Sequence, residues 1–290
     1  MGRAVKPSGK RQSAPSMALQ VEEQRRKALR EGLIPDDMGL LPGTFIMPRG
    51  KNRPSWLRDF KGRWRMEKAR WWQRAQEVFS AFMYRYVMVR PSPRLHLRSI
   101  TGIAKDLHRD MYTNFASGNL APIESRLCEG IFGSLKRRIS QRPLNTGLKW
   151  TLHKHLSKPR LASYRPGIQP GQKGGSRTEV NGVVQAVVRI HSLQSLQHTK
   201  RVSLKGANGK TLVREIVVDA HGRELQPVAE GAVPKDAKEA VEYFVIQQNV
   251  RKSKAGPWKI WGTAEEMTLE QIRKQDKKSE AMSLAKNANV

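Results

Sequence analysis

His153 and His155 stand two residues apart in the stretch KWTLHKHL, so on a strand both rings fall on one side, where they could supply two ligands to a metal. No Cys or carboxylate lies near them in sequence, and the surrounding cations oppose a divalent ion. No metal and no other cofactor is therefore expected. The basic glycine loop GQKGGS, at Gly171 to Ser176, lacks the Walker spacing, and the chain has no G-x-S-x-G elbow and no H-E-x-x-H. Its acids are few and sit mostly towards the ends of the chain, so no buried pair poised for acid-base work is visible. The expectation is a protein that is not an enzyme and takes no small-molecule substrate.

The chemistry that is indicated is attachment to polyanions. Over 290 residues, 54 Lys and Arg face 25 Asp and Glu, a net charge of +29. Such a surplus acts as a field that attracts RNA, DNA or an anionic membrane. Between Gly130 and Thr178 there are 11 Lys and Arg and no acid. Lys136, Arg137, Arg138 and Arg142 end a helix in this span, and Lys149, Lys154, Lys158 and Arg160 lie on or after the strand that follows. Lys136, Arg137 and Arg138 would also complement the negative end of the helix dipole, but that role uses only two or three of the cations. The remainder favour counterion release on nucleic acid, with affinity that falls as salt rises. Upstream, Trp56, Phe60 and Trp64 alternate with Arg53, Arg58, Arg63 and Arg65, so that guanidinium groups meet phosphate while rings stack on unpaired bases. The same rings would equally dock this segment on its own domain.

The elements that must position these groups follow from period and punctuation. The first 20 residues are basic and free of acid, as in a mitochondrial transit peptide, yet Pro7 and Pro15 suit a disordered arm equally well. Prolines 35, 42, 48 and 54 keep residues 1–63 largely irregular. From Arg65 to Val89 no Pro or Gly intervenes, and a long helix is expected. Its aromatics suit core packing or docking on a partner, and its arginines would also let it lie in a membrane interface. Leu97, Ile100, Ala104, Leu107, Met111 and Phe115 mark one face of a second helix, closed by Gly118. A third helix is expected from Pro122, through Ile123, Leu127, Ile131, Leu135 and Ile139, to Arg142-Pro143.

Alternation at Leu148, Trp150 and Leu152 then announces strands. The run YRPGIQPGQKGGSRT reads as a loop and VNGVVQAVVRIHSL as a strand, while Asn208-Gly209 reads as a tight hairpin turn. A last hairpin pairs Tyr243 to Val250 with Trp258 to Trp261 through a loop at Gly256-Pro257. Helices followed by antiparallel strands make an α+β domain over residues 64–262, followed by a charged tail at 263–290. Cys128, alone in the chain, excludes an intrachain disulfide and reads as a small buried apolar residue. No window reaches the roughly 18 apolar residues that span a bilayer.

Several of these stretches, in order, carry a resemblance. They are MYTNFASGNLAPIESRLCEGIF, LKWTLHKHLSKPRLASYR, VVQAVVRIHSLQSL with DAHGREL, and VPKDAKEAVEYFVIQQNV followed by GPWKIWG. Together they resemble the mitochondrial large-subunit ribosomal protein 45 family over roughly residues 65–262. Two extra residues precede Glu242-Tyr243, and Gln194 to Val218 is expanded by a hairpin. The resemblance implies a cone like that of nuclear transport factor 2, a curved antiparallel sheet with helices across it. It also implies a ribosomal protein near the polypeptide exit, with large-subunit rRNA, neighbouring ribosomal proteins, the inner-membrane surface and an insertase as partners. That protein would sit in the matrix, peripheral to the inner membrane. The same domain occurs in the import-motor scaffold, which binds a chaperone and precursor proteins, and that role is the alternative.

Overall fold

The valine-rich run forms the strand around which everything else is arranged. In a computed structural model that describes residues 37, 39–41, 43–143, 146–168, 180–205, 211–218, 223–224, 233–234 and 236–274, five strands make one antiparallel, curved sheet. They are β1 (Thr146–Ile168), β2 (Gly182–Lys205), β3 (Thr211–Val218), β4 (Lys238–Arg251) and β5 (Lys254–Ala264). The order is β1-β2-β4-β5, with β3 paired to the far end of β2 from His198 to Lys205, past the stretch that β4 occupies. Three helices, α1 (Phe60–Phe82), α2 (Leu97–Ser117) and α3 (Glu129–Ser140), precede the sheet in sequence. The class is α+β, as expected, and the arrangement is compatible with the expected cone.

Alternation sends the side chains of β2 to two faces, and both are buried. On the front face, Ala186, Val188 and Ile190 of β2 join Phe244, Ile246 and Ile260 from β4 and β5. Against them lie Ile100, Ala104, Leu107 and Met111 of α2 and Leu135 of α3. On the back face, Val187, Tyr243 and Val245 are covered by Ile46 from the segment before α1. A polar clamp fixes that segment. The buried Gln185 amide donates to Gly39 O at 2.7 Å and to Gln247 Oε1 at 3.0 Å, and its own oxygen accepts from Leu41 N at 2.8 Å. Part of the expected irregular extension therefore supplies core, since Phe45 and Ile46 are both buried.

The helix from Arg65 to Val89 forms, but it starts earlier. Asp59 caps it by accepting from Gly62 N at 2.8 Å, and it ends in a π-helical turn over Met83–Met88. The second helix closes on Gly118 at φ 78°, the left-handed C-cap anticipated for this glycine. The third is not continuous from Pro122. Ala121–Arg126 form a 3-10 turn, Leu127 is extended and bridges Ile260, and Cys128 N donates to Ile260 O at 2.9 Å before α3 begins. The edge strand β5 captures backbone groups that a helix would have paired internally, and tertiary pairing overrides the four-residue spacing.

Two loop assignments also move. Tyr164 to Ile168 were expected in a loop and are instead the end of β1, paired with Ala186 to Gly182. Pro166 is tolerated because β1 is an edge strand. The last hairpin turns not at Gly256-Pro257, which lie inside β5, but at Lys252-Ser253 with φ 46° and 62°. Two successive positive φ values are the type I′ geometry that suits a two-residue hairpin. The Asn208-Gly209 turn, the Gly171 to Ser176 loop, the first 36 residues and the tail beyond residue 274 lie outside the described residues.

Lys252 holds a left-handed conformation that Asn tolerates better. Lys252→Asn is expected to stabilise the protein by up to about 1 kcal/mol, part of the roughly 1–2 kcal/mol an L-residue pays in this conformation, whereas Phe244→Ala, emptying a fully buried site, costs about 3–5 kcal/mol. Urea midpoints at constant slope read both changes, and an unchanged midpoint for Lys252→Asn would mean that the turn carries no strain.

Candidate functional site

Helix α1 is amphipathic the wrong way round for a core helix. Its buried residues are Gly62, Arg63 and Met66, and its inward stripe is polar. Glu67 sits there as a hub, with Arg53 and Arg63 at 2.8 Å and Arg70 at 3.1 Å. Further along, Glu77 accepts from Ser163 of β1, and Gln73 accepts from Arg165 at 2.8 Å. Burial pushes the Glu77 carboxyl above its ordinary range, against the opposing pull of the Ser163 hydrogen bond and of Arg165 and Arg74.

The outward stripe is apolar. Trp71 is 73% exposed, Trp72 65%, Val78 71% and Phe79 64%, with Phe60, Trp64, Phe82 and Tyr86 exposed beside them. Of the fates expected of these aromatics, core packing or docking on a partner, core packing does not occur for the exposed rings. The sheet takes the polar stripe because Ser163 and Arg165 of β1 need partners. Exposed rings in this number, with Lys61 and Lys68 among them, form an apolar surface larger than scattered single side chains would give. Among the described residues, no helix is long and apolar enough to cross a membrane.

The twelve basic residues expected to meet nucleic acid divide by what holds them. Arg58, Arg65, Lys136, Arg137, Arg138, Lys149, Lys154, Lys158 and Arg160 are exposed. Arg63 is buried, its guanidinium on Glu67 and 5.2 Å from the Trp56 ring, and Arg53 shares the same carboxylate. Arg142 is half-buried: it donates to the carbonyls of Phe115 at 2.6 Å and Ala116 at 3.0 Å and lies over the Phe115 ring. These three arginines are therefore engaged by the protein itself. Arg142 caps the end of α2, its guanidinium donating to the carbonyl of Ala116 and sharing that of Phe115 with the Gly118 N–H. Sequence spacing showed the charge of these residues and could not show their internal partners.

The two histidines do not form the pair that a regular strand would give. A bulge between Leu152 and Lys154 breaks the alternation. His153 Nε2 lies 2.9 Å from Ser195 Oγ, while His155 turns towards Lys105, His108 and Arg109 of α2. Burial and those three neighbours push the His155 ring pKa down. Among the described residues no group of three or more potential metal ligands occurs.

Sequence reading missed a polar network on the front face, where no acid-base group was foreseen. The fully buried His108 places Nε2 2.8 Å from Glu242 Oε2. Tyr112 donates to the other carboxylate oxygen, and Gln194 Nε2 donates to Oε2 at 3.0 Å. Trp150 stacks on Tyr112 and donates to Gln194 at 2.6 Å. Burial pushes the Glu242 carboxyl up, but the hydrogen bonds from His108, Tyr112 and Gln194 outweigh it and hold the group below its ordinary value. His108 stands between Leu107 and Met111 on the buried face of α2, and that placement was the signal available in the sequence.

Two comparisons with known proteins bear on this arrangement. A family described as MBA1-like protein matches residues 43–221, which takes in α1, the front helices, β1, β2 and β3. An uncharacterized protein of Schizosaccharomyces pombe is 25% identical over 232 residues, covering 79% of this chain and 65% of the relative. The matched region is thus less than two thirds of that relative's length.

Because the folded pKa of Glu242 is depressed, its network contributes stability that is fully present above the ordinary carboxyl value of 4.5 and is lost as pH falls through the folded pKa. Denaturant titrations from pH 6 down to the acid limit should show Glu242→Gln with a flatter acid limb than the parent chain. Parallel limbs would mean that Glu242 titrates alike in the folded and unfolded states.

Proposed function

This chain belongs to the MBA1-like family, a mitochondrial, membrane-associated and ribosome-related family, and from that premise we propose that it is a structural component of the mitochondrial large ribosomal subunit near the polypeptide exit. In this reading it is a relative of the large-subunit ribosomal protein 45 group. It holds the ribosome against the inner membrane while an insertase receives newly made membrane proteins. It lies in the matrix, peripheral to that membrane, and does no catalysis.

The observation that carries the reading is the division of labour across α1. The exposed rings of Trp71, Trp72 and Phe79 give an apolar ridge of the kind that settles at headgroup level, where aromatic residues and cations are both favoured. The exposed cations Lys149, Lys154 and Lys158 lie on a different element, the edge strand β1, and are free to neutralise rRNA phosphate. A tether needs two such surfaces that do not compete. The import-motor alternative requires an apolar receptor groove for precursor segments. The cavity beneath α1 has instead six arginines in its wall, which argues for the ribosomal reading.

The direct test is sedimentation of detergent-solubilised mitochondria at low and high salt. The chain should travel with the large subunit and leave it only at high salt, and migration with import components at low salt would overturn the proposal. Two variants separate the surfaces. Trp71→Ser with Trp72→Ser should weaken binding to anionic vesicles by at least about tenfold, given roughly 1.5–3 kcal/mol per buried large side chain, with RNA binding unchanged. Lys149→Ala, Lys154→Ala and Lys158→Ala together should lower the log-log salt slope of RNA binding by about 0.7 per residue.

A further inference from the structure

Beneath α1, on the back face of the sheet, the segment 45–50, the inward stripe of the helix and β1 border a half-open cavity of about 640 Å³. Its wall carries Arg49, Arg53, Arg70, Arg74, Arg160 and Arg189 against a single acid, Glu77. Its apolar lining comes from Phe45, Ile46 and Ala162, with Tyr243 beside them, while Leu161 borders it with its side chain packed in the front-face core. Some of this charge is already matched, because Arg53 and Arg70 reach Glu67 and Arg189 reaches Ser157 Oγ at 3.4 Å. Yet the Nε–H groups of Arg53 and Arg189 are buried with no acceptor. A buried donor on a charged group without an acceptor is costly, and two of them in one arginine-lined cavity call for an anion.

What kind of anion follows from what surrounds the opening. Arg160 lies in the cavity wall and also continues the exposed line of Lys154 and Lys158 along β1, so a chain of phosphates following the strand edge arrives at the cavity. A lipid headgroup is less well served. Arg70, Gln73 and Glu77 form the inward stripe and the exposed Arg74 stands at the cavity's rim, between that stripe and the rings of the exposed ridge. A bilayer resting on those rings would be about one helix diameter, roughly 10 Å, from Arg160 and Arg189 on the strands behind the helix. A half-open cavity of about 640 Å³ is too small for a duplex, and apolar and cationic lining together match the two halves of a nucleotide.

We propose that this cavity seats one nucleotide of a single-stranded RNA segment, the arginines holding its phosphates and the apolar lining taking sugar and base. The inference rests on the RNA-binding half of the function proposed above and gives it a specific pocket.

The test uses the full chain and a fluorescent oligouridylate at fixed salt, with anisotropy as the readout. Arg74→Glu should weaken binding by about tenfold or more, since it reverses a charge at contact distance. Arg98→Glu, the same charge change on the exposed start of α2, should cost only the small, long-range part. Glu77→Gln keeps an acceptor for Ser163 and removes the acid from the wall, so it should tighten binding by about threefold. That gain of affinity cannot come from misfolding. Free uridine monophosphate should compete with the oligonucleotide on the parent chain and lose that ability in Arg74→Glu.

If Arg74→Glu and Arg98→Glu act equally while Lys154→Ala with Lys158→Ala weakens binding, the pocket is not a nucleotide seat although RNA binding stands. If none of these changes matters, both readings fall. If Arg74→Glu instead abolishes binding to phosphatidylglycerol vesicles and leaves RNA affinity intact, the anion is a lipid headgroup and the proposal is overturned.

Discussion

The architecture depends on one strand having no solvent face. From Gly182 to Val188 every residue of β2 is buried, and Ile190 follows. A two-layer α+β domain normally covers one side of its sheet and leaves the other wet, with apolar and polar residues alternating along each strand. Here Val183, Gln185 and Val187 would face water if only α2 and α3 covered the sheet. The chain therefore needs material on the back, and the segment before α1 supplies it. Gln185 makes that cover specific, because its buried amide, which also donates to Gln247, needs partners and finds them in the backbone of Gly39 and Leu41.

Bringing α1 onto the edge of the same sheet has an electrostatic cost that explains its composition. Ser163 and Arg165 of β1 are shielded from water, so the helix that covers them presents Gln73, Gln76 and Glu77 rather than leucines. Glu67 does the same for Arg53, Arg63 and Arg70. Once the polar stripe is committed inward, the apolar residues can only point out. The exposed ridge is the other half of the constraint that shapes the cavity, and the two surfaces come from one helix orientation.

Periodicity made much of this fold readable in advance. The face of α2, its Gly118 cap, the valine strand and the final hairpin were all legible because local pattern and tertiary role agree there. The failures share a physical cause. Leu127 and Ile131 fit a helical period, but Leu127 is drawn out by a bridge to Ile260, a contact far away in sequence. Gly256-Pro257 has the composition of a loop, yet β4 pairs across it and the turn falls on Lys252-Ser253, which no turn signal marks. For the functional surfaces, charge was legible and its availability was not. Arg63, Arg142 and Lys154 look alike in sequence, and only their partners distinguish a buried ion pair, a helix terminator and an exposed cation. His108 and Glu242, 134 positions apart, could be joined only by the fold.

The edge strand β1 has a further consequence. It runs for 23 residues with no strand along its outer side among the described residues. A row of unsatisfied backbone groups of that length is a template for another chain, and a protein that waits unassembled in a crowded compartment would be exposed to that hazard. Pro159 and Pro166 remove donors from the row, the irregular register between Leu152 and Ser163 twists it, and Lys154 and Lys158 place like charges where a second copy would pair. The cations of β1 thus also guard the edge against pairing with a second copy, and their loss is expected to show as aggregation.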